Sequence, residues 1–220
     1  MKEEAIEEIA KKFNVNLKKL EEEQLKLSKT LKLKDSINFE EVEKICGVDT
    51  IFLNNNIIAA VIVINRDGEI LDQKYFSEKA RFPYIQGFRA YRELPAIISA
   101  FNLLEEKPEL VFLKGPGILH PRKLDIASHF SISTGIPSIG VTDELVIGEI
   151  RGEDIFLNET ITGKIVQSKK GSKPLFVSPG NLISIKTSKE ITQSLIKDPH
   201  KFPEPLRLAR KYVKEVMKEI

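Results

Sequence analysis

Three consecutive apolar runs, separated by turn-forming residues, constrain the fold of this chain more than any other feature. The runs cover Ile45–Leu53, Ile57–Asn65 and Glu69–Phe76. Between them lie Asn54–Asn56 and Asn65–Gly68, and both Asn and Gly tolerate the positive φ angles of tight turns. The pattern therefore predicts three sequential antiparallel strands.

The sequence after these strands alternates between helical and strand-like patterns. An apolar stripe predicts a helix over Ala90–Leu104, and a second helix is expected over about Lys123–Thr134. Short strands are predicted at Leu110–Leu113 and Ser138–Val141. A meander that continues into alternating helices and strands predicts an α/β fold, with one mixed sheet and helices packed on its faces.

The two ends of the chain are predicted to be helical. Apolar residues between positions 5 and 31 recur at helical spacing and predict two amphipathic helices. Further strands and helices are expected at Asp154–Leu157, Ile161–Gln167, Leu175–Ser178, Ser188–Ile196 and Leu206–Lys218. No internal repeat or low-complexity linker interrupts the 220 residues, so we expect a single domain over 1–220.

Composition limits the class of protein and of partner. Hydrophobic residues make up 41% and charged residues 30%, which is typical of a soluble globular chain. Because 34 Lys and Arg oppose 32 Asp and Glu, any basic footprint for nucleic acid must be local. The lone Cys46 suits a reducing cytoplasm, and no run of ~18 apolar residues could span a membrane. We expect a cytoplasmic monomer that makes no membrane contact.

Two acidic residues on predicted elements are candidates for chemistry. Asp49 shares one strand face with Ile45, Gly47 and Ile51. Burying an unpaired carboxylate costs several kcal/mol, so Asp49 must be solvated, hydrogen-bonded or close to a cation. An exposed strand face is the alternative interpretation. Glu93 lies on the following predicted helix, where a lone Glu usually occupies a surface position.

Two loops have features typical of nucleic-acid contact. Pro83 stiffens the loop that presents Tyr84, and an apolar wedge on a rigid loop can unstack bases. A packed aromatic at a helix entry would give the same pattern. The segment 114–122 follows a strand and contains Gly115 and Gly117, whose backbone could approach a base or a phosphate closely. Gly-Pro-Gly is also an ordinary tight turn.

Several basic residues are candidates for phosphate contacts, although each group could equally form a solvated surface. They are Lys164, Lys169, Lys170 and Lys173, and near the end of the chain Lys201, Arg207, Arg210 and Lys211.

Taken together, these segments resemble endonuclease V, the family of nucleases that nick DNA or RNA near inosine. The matching blocks begin near Leu17 and leave residues 1–16 as an N-terminal helical extension. The resemblance implies a ribonuclease H-like fold, which agrees with the predicted mixed sheet. The blocks are Cys46–Asp49, Phe82–Ile85, Arg92–Glu93, Gly117–Lys123, Ala127–His129, Ile136–Val141, Gly171–Asn181 and Pro203–Ala209.

The resemblance assigns roles to individual residues. Asp49 and Glu93 fall on two positions that hold Mg²⁺ in the family, where the ion activates a water molecule. Tyr84, flanked by Pro83 and Ile85, falls on the wedge that probes the damaged base. The remaining substrate-binding positions fall on Gly115, Gly117, Ile118, His120 and Arg122.

Three positions that carry chemistry in the family hold different residues here. Lys114 stands at the third acidic position, Asp143 at the position of a lysine and Arg210 at that of a histidine. Gln86 replaces a second proline of the wedge, and Pro116 removes one N–H donor from the loop. Two unit charges about 4 Å apart interact by about 4 kcal/mol at an effective dielectric near 20, so we expect weakened magnesium binding.

The reciprocal exchange of Lys and Asp allows two interpretations. Lys114 and Asp143 could form an internal ion pair that replaces a metal ion, and this is the interpretation we favour. Alternatively, Asp143 could act as a catalytic residue beside Asp49 and Glu93, supplying the missing carboxylate.

The sequence therefore predicts an endonuclease V-like protein that binds DNA or RNA, single-stranded or carrying deaminated adenine, with weak cleavage or none. The alternative enzyme is an active Mg²⁺-dependent endonuclease that nicks 3′ to inosine in DNA repair. A third interpretation is a partner-binding domain that has lost its nucleic-acid contacts.

Overall fold

The computed structural model describes residues 3–168 and 171–220, and the strands within those ranges form one mixed sheet. The sheet order is β3-β2-β1-β4-β5-β9-β8-β7-β6. No helix within these ranges is long and apolar enough to cross a bilayer. The elements are α1 (Glu3–Lys12), α2 (Leu17–Ser28), β1 (Ile45–Leu53), β2 (Asn56–Ile64), β3 (Ile70–Lys79), α3 (Arg89–Asn102), β4 (Leu110–Lys114), α4 (Ile126–Thr134), β5 (Ser138–Thr142), β6 (Glu149–Arg151), β7 (Asp154–Leu157), β8 (Thr160–Val166), β9 (Leu175–Asn181), α5 (Ile185–Ser194) and α6 (Glu204–Glu219).

The predicted meander and the parallel centre of the sheet are both confirmed. Strands β1, β2 and β3 pair antiparallel in sequence order, while β1, β4 and β5 run parallel. Every residue of β2 after Asn56 is buried, since helices cover both faces of the sheet. The mixed sheet flanked by helices matches the predicted fold class.

Helix α6 lies directly against the first strand. A Cβ atom added to Gly47 would stand 2.0 Å from the carbonyl oxygen of Pro205, so only glycine allows this approach. Leu206 and Ala209 of α6 pack in the same core cluster as Ile45. This contact brings the first turns of α6 next to the middle of β1, where the candidate acidic residue lies.

Some boundaries differ from the sequence-based expectations. Helix α4 begins at Ile126 rather than about Lys123, because Lys123 has a φ of +54° and the Asp125 side chain caps the helix by accepting from the Ile126 N–H. Strand β6 was not predicted, because its three residues are all exposed and offer no apolar alternation. Helix α5 begins three residues earlier than expected, at Ile185, with Ser184 as its cap.

The two predicted N-terminal helices are present, and α1 packs on the loop between β3 and α3. Ile6, Ile9 and Ala10 share a cluster with Ile85 and Phe88. The N-terminal extension is therefore built against the wedge loop, which we define as residues 81–88.

Candidate functional site

Asp49 lies in β1 immediately after the part of the strand that pairs with β4, at the carboxyl end of the parallel strands. Val48 is the last residue of β1 paired with β4, opposite Leu113, so Asp49 and Lys114 follow at the same edge. The Asp49 side chain is buried, and its two oxygens accept from the Thr50 N–H at 2.9 Å and from Arg210 Nη1 at 3.2 Å. Burial raises the pKa of Asp49, and the Arg210 and Lys114 cations oppose that rise. The alternative of an exposed strand face is wrong.

Glu93 points from α3 into the same small pocket as Asp49. Arg89, one turn earlier, holds both of its oxygens, with Nε 2.6 Å from Oε1 and Nη2 2.8 Å from Oε2. The Thr50 hydroxyl donates a third hydrogen bond to Oε2 at 2.8 Å. The surface interpretation of Glu93 is therefore wrong as well, because a bidentate arginine pair compensates its burial.

The ion pair expected between Lys114 and Asp143 is wrong for this structure. The Asp143 carboxylate lies 3.5 Å from Lys201 Nζ, at a partly exposed position after β5. The Lys114 ammonium lies 5.0 Å from the centre of the Phe202 ring and lines the pocket that contains Asp49 and Glu93. The segment between α5 and α6 supplies nearer partners to both charges, so they do not meet.

The acidic pair does not fit a magnesium site. All four oxygens of Asp49 and Glu93 already accept hydrogen bonds, three of which come from arginine nitrogens. The space between them cannot hold a water molecule, whereas Mg²⁺ usually keeps several waters. Within the described ranges, no three Asp, Glu, His or Cys side chains come together as metal ligands. Three cations, on Arg89, Arg210 and Lys114, surround two carboxylates.

A larger pocket of about 440 Å³ opens beside the wedge loop, and we call it the base pocket. Tyr84 stands at its rim with 57% of its surface exposed, as expected of a wedge, while Ile85 is buried in its wall and Pro83 lies outside it. The loop after β4 contributes His120 and Arg122. The other lining residues are Ile6, Gln86, Gly87, Arg89, Pro116, Leu119, Pro121, Asp125, Thr142, Glu144, Val146 and Ile147.

In the loop of residues 114–122, the backbone amides of the glycines do not face a ligand pocket as expected. The N–H groups of Gly115 and Ile118 donate to the carbonyls of Val141 and Pro179, each at 2.9 Å. The N–H of Gly117 donates to Ser178 Oγ at 2.8 Å. A Cβ atom at position 117 would meet the Pro179 carbonyl at 2.1 Å. Close packing against β9 therefore explains why a glycine stands at position 117. The pocket is lined instead by Pro116 and by the residues after Ile118.

Arg122 connects the wedge loop to the rest of the protein. It donates to the Gly87 carbonyl at 3.1 Å and to Gln24 Oε1 at 2.5 Å, and its guanidinium lies 4.6 Å from the centre of the Phe88 ring. His120 Nε2 also lies 3.2 Å from the Gly87 carbonyl oxygen. Burial and the nearby Arg122 cation lower the pKa of His120 to about 4, so the ring is neutral at pH 7 and its Nε2–H donates.

Most of the predicted phosphate-binding cations already have acidic partners. Lys164 pairs with Asp154 and Arg207 with Glu204, while Lys211 Nζ lies 3.7 Å from Glu215. As described above, Lys201 and Arg210 are paired too. Lys169 and Lys170 lie outside the described residues. The phosphate contacts therefore stay predictions.

Three residues of the candidate site are not predicted by the sequence. Arg89 lines both the base pocket and the pocket of the acidic pair, and Thr50 bonds to Glu93. Asp125 lies in the base pocket, where burial raises its pKa to about 6. The spacing of four residues between Arg89 and Glu93 was a usable signal for a helical ion pair.

Comparison with known proteins gives consistent matches. The family model for endonuclease V matches residues 25–211. An endonuclease V of Dictyoglomus turgidum is 37% identical over 210 residues, which cover 90% of this chain and 89% of that protein. The crystal structure of the Bacillus subtilis endonuclease V superposes with a TM-score of 0.80 at 28% identity, covering 89% of each chain.

A second similar structure contains nucleic acid. It is the endonuclease V of Ciona intestinalis in complex with a 24mer DNA containing an inosine followed by a ribo-adenosine. Its TM-score is 0.83 at 20% identity, with 92% of this chain and 98% of that chain covered. At this identity the likeness supports the fold.

Proposed function

Because this chain belongs to the endonuclease V family, we propose that it binds inosine-containing nucleic acid at the base pocket and cleaves it weakly or not at all. One observation carries the second half of this proposal: arginine nitrogens and Thr50 occupy every oxygen of Asp49 and Glu93. A divalent cation ligated by these oxygens would lie beside the arginine cations that hold them, and it would compete with their charge-assisted hydrogen bonds.

The base pocket supports the binding half. Its volume of about 440 Å³ lies in the range of small-ligand pockets, about 300–1,000 Å³. Apolar Ile85 and Leu119 provide surfaces for a flat ring, and Asp125 with the backbone around Gly87 provides polar groups. Tyr84, exposed at the rim, would take the stacking position of a base that has left the strand.

Rigid support of the wedge favours recognition of an extruded base. Arg122 and His120 both hold the carbonyl of Gly87, the penultimate residue of the wedge loop. A loop fixed in this way loses little conformational entropy when it inserts between bases. The inosine-containing DNA bound by the Ciona intestinalis relative supports inosine as the base to test.

The first test measures binding without metal. Matched single strands carrying inosine or adenosine are titrated with the protein over a series of salt concentrations. We expect preference for the inosine strand, a negative slope of log affinity against log salt, and a loss of about tenfold in Tyr84→Ala. Tyr75→Ala, which truncates an exposed tyrosine on β3, is the matched control. Equal affinity for both strands would refute the proposed recognition of inosine, and a slope near zero would refute binding to nucleic acid.

The second test measures cleavage. The inosine strand is incubated with the protein and Mg²⁺ or Mn²⁺, and product is compared between the wild type and Asp49→Ala. We expect little product from either protein. Efficient nicking 3′ to inosine that disappears in Asp49→Ala would refute the proposed loss of cleavage, and Asp143→Ala would then show whether Asp143 has replaced the missing acid.

A further inference from the structure

We propose that a second pocket, beside the first half of the wedge loop, binds a nucleobase next to the extruded one; this inference rests on the proposed function. We call it the flanking pocket. It has a volume of about 320 Å³ and shares no lining residue with the base pocket. Arg81, Phe82 and Pro83 border it, whereas residues 84–87 border the base pocket. A strand threaded over the wedge would therefore meet both pockets.

Aromatic surface in the flanking pocket suits base stacking. Phe13, in the turn after α1, lines the pocket with 50% of its surface exposed. Phe82 and Tyr91 form a supported pair on the same lining, with ring centroids 5.9 Å apart. The exposed Phe13 ring can stack on a base, and the packed Phe82–Tyr91 pair needs no further ordering. Stacking is favoured because little side-chain entropy is lost on binding.

The charge of the flanking pocket indicates a polyanion rather than an apolar peptide. Lys79, Arg81 and Arg92 line it against the single acid Glu78. Within the described ranges none of the three cations forms an ion pair, in contrast to the paired cations Lys201, Arg207 and Arg210 near the C-terminus. Arg92 stacks on the Phe52 ring at 4.1 Å, and its buried Nε has no hydrogen-bond partner in the described part of the chain. Unpaired cations beside an exposed aromatic ring are typical of single-stranded nucleic-acid sites.

Helix α1 has a charge gradient that sets where a strand can pass. Glu4, Glu7 and Glu8 lie exposed in the first two turns of α1, whereas Lys11 and Lys12 occupy its last turn, next to Phe13. Lys12 Nζ lies 5.9 Å from the centre of the Phe13 ring. Phosphates are repelled at the start of the helix and attracted at its end, so the strand is directed to the side of the flanking pocket.

The decisive experiment couples a protein change to a nucleic-acid change. Wild type and Phe13→Ala are titrated with an inosine-containing strand, and with strands in which an abasic analogue replaces the nucleotide immediately 5′ or 3′ of inosine. We expect Phe13→Ala to lose about tenfold in affinity, and one of the two abasic strands to lose about as much with wild type. In Phe13→Ala that abasic strand and the intact strand should bind equally.

Control variants separate stacking from folding. Leu103→Ala truncates a side chain that is also 50% exposed, at the end of α3, and should bind as wild type does. Phe13→Tyr keeps an aromatic ring and should retain wild-type affinity. Arg81→Ala should weaken all strands and reduce the salt slope by about one.

The two failures are distinguishable. If wild type prefers the inosine strand but neither Phe13→Ala nor either abasic strand changes the affinity, the flanking pocket is refuted while the proposed function stands. If wild type does not discriminate inosine from adenosine, the proposed function fails, and the flanking pocket fails with it.

Discussion

Removing two cations from the acidic pair should restore binding of a divalent metal. Arg210→His removes the guanidinium that lies 3.2 Å from Asp49 Oδ2, and Lys114→Asp replaces an ammonium with a third carboxylate at the edge of the sheet. Both changes return these positions to the residue types that the family resemblance implies. Neither position lies in the hydrophobic core, so the double variant should fold.

The size of the effect follows from the geometry around Asp49. A Mg²⁺ ion bound to Oδ2 at about 2.1 Å would lie within about 5 Å of Arg210 Nη1. A divalent and a unit charge at that separation repel by about 7 kcal/mol at an effective dielectric of 20, and by about 2 kcal/mol in water. The Arg210 side chain is 42% exposed, so the screened value should be about 2–3 kcal/mol. That corresponds to about 30- to 150-fold in affinity.

Isothermal titration with Mn²⁺ measures the effect directly. Wild type should give no saturable heat, Arg210→His should bind weakly, and the double variant with Lys114→Asp should bind more tightly than Arg210→His. Lys214→His removes a cation from an exposed position one turn further along α6 and serves as the control. Tight Mn²⁺ binding by wild type that Asp49→Asn abolishes would refute the reasoning, as would no gain in the double variant.

Two further predictions concern stability. Burial raises the pKa of Asp125 to about 6, so its protonated form is favoured by folding and the stability present below about pH 4 is lost as the pH rises through about 6. Asp125→Asn removes this titration, so the free energy of unfolding of the variant minus that of wild type should rise by about 2–3 kcal/mol between pH 4 and pH 7.5, as measured by urea unfolding. A difference that stays constant over this pH range would contradict the prediction. Gly47→Ala should lower the free energy of unfolding by about 1–3 kcal/mol, because its Cβ would overlap the Pro205 carbonyl; an unchanged urea midpoint would contradict that contact.

Most of the fold was accessible from local sequence signals. Asn54 and Asn55 have φ angles of +47° and +66°, which is the conformation that made the Asn-rich turn predictive. Strand β6 gave no such signal, because it has no apolar pattern of its own and is defined only by its pairing with β7. Helix α4 was predicted too long because Lys123 adopts a positive φ that its residue type does not announce.

The candidate site was only partly accessible. Asp49 and Glu93 are 44 positions apart in the chain and line one pocket, as the family resemblance implied. The partner of Asp143 was predicted wrongly, because a reciprocal exchange of charge between two positions carries no information about their separation. Lys201 reaches Asp143 through the segment before α6, a tertiary contact that sequence spacing cannot show.

The pocket of the acidic pair and the base pocket share one lining residue, Arg89. A substitution that moves Arg89 would therefore affect both pockets. Arg89 holds Glu93 in one pocket and forms part of the wall of the other. The wedge loop, by contrast, depends on Arg122 and His120, which make no contact with the acidic pair within the described residues. Restoring metal binding at Asp49 and Glu93 should therefore disturb base recognition through the position of Arg89 alone. The inosine preference of the Arg210→His and Lys114→Asp double variant, measured without metal, should match that of wild type if Arg89 keeps its place.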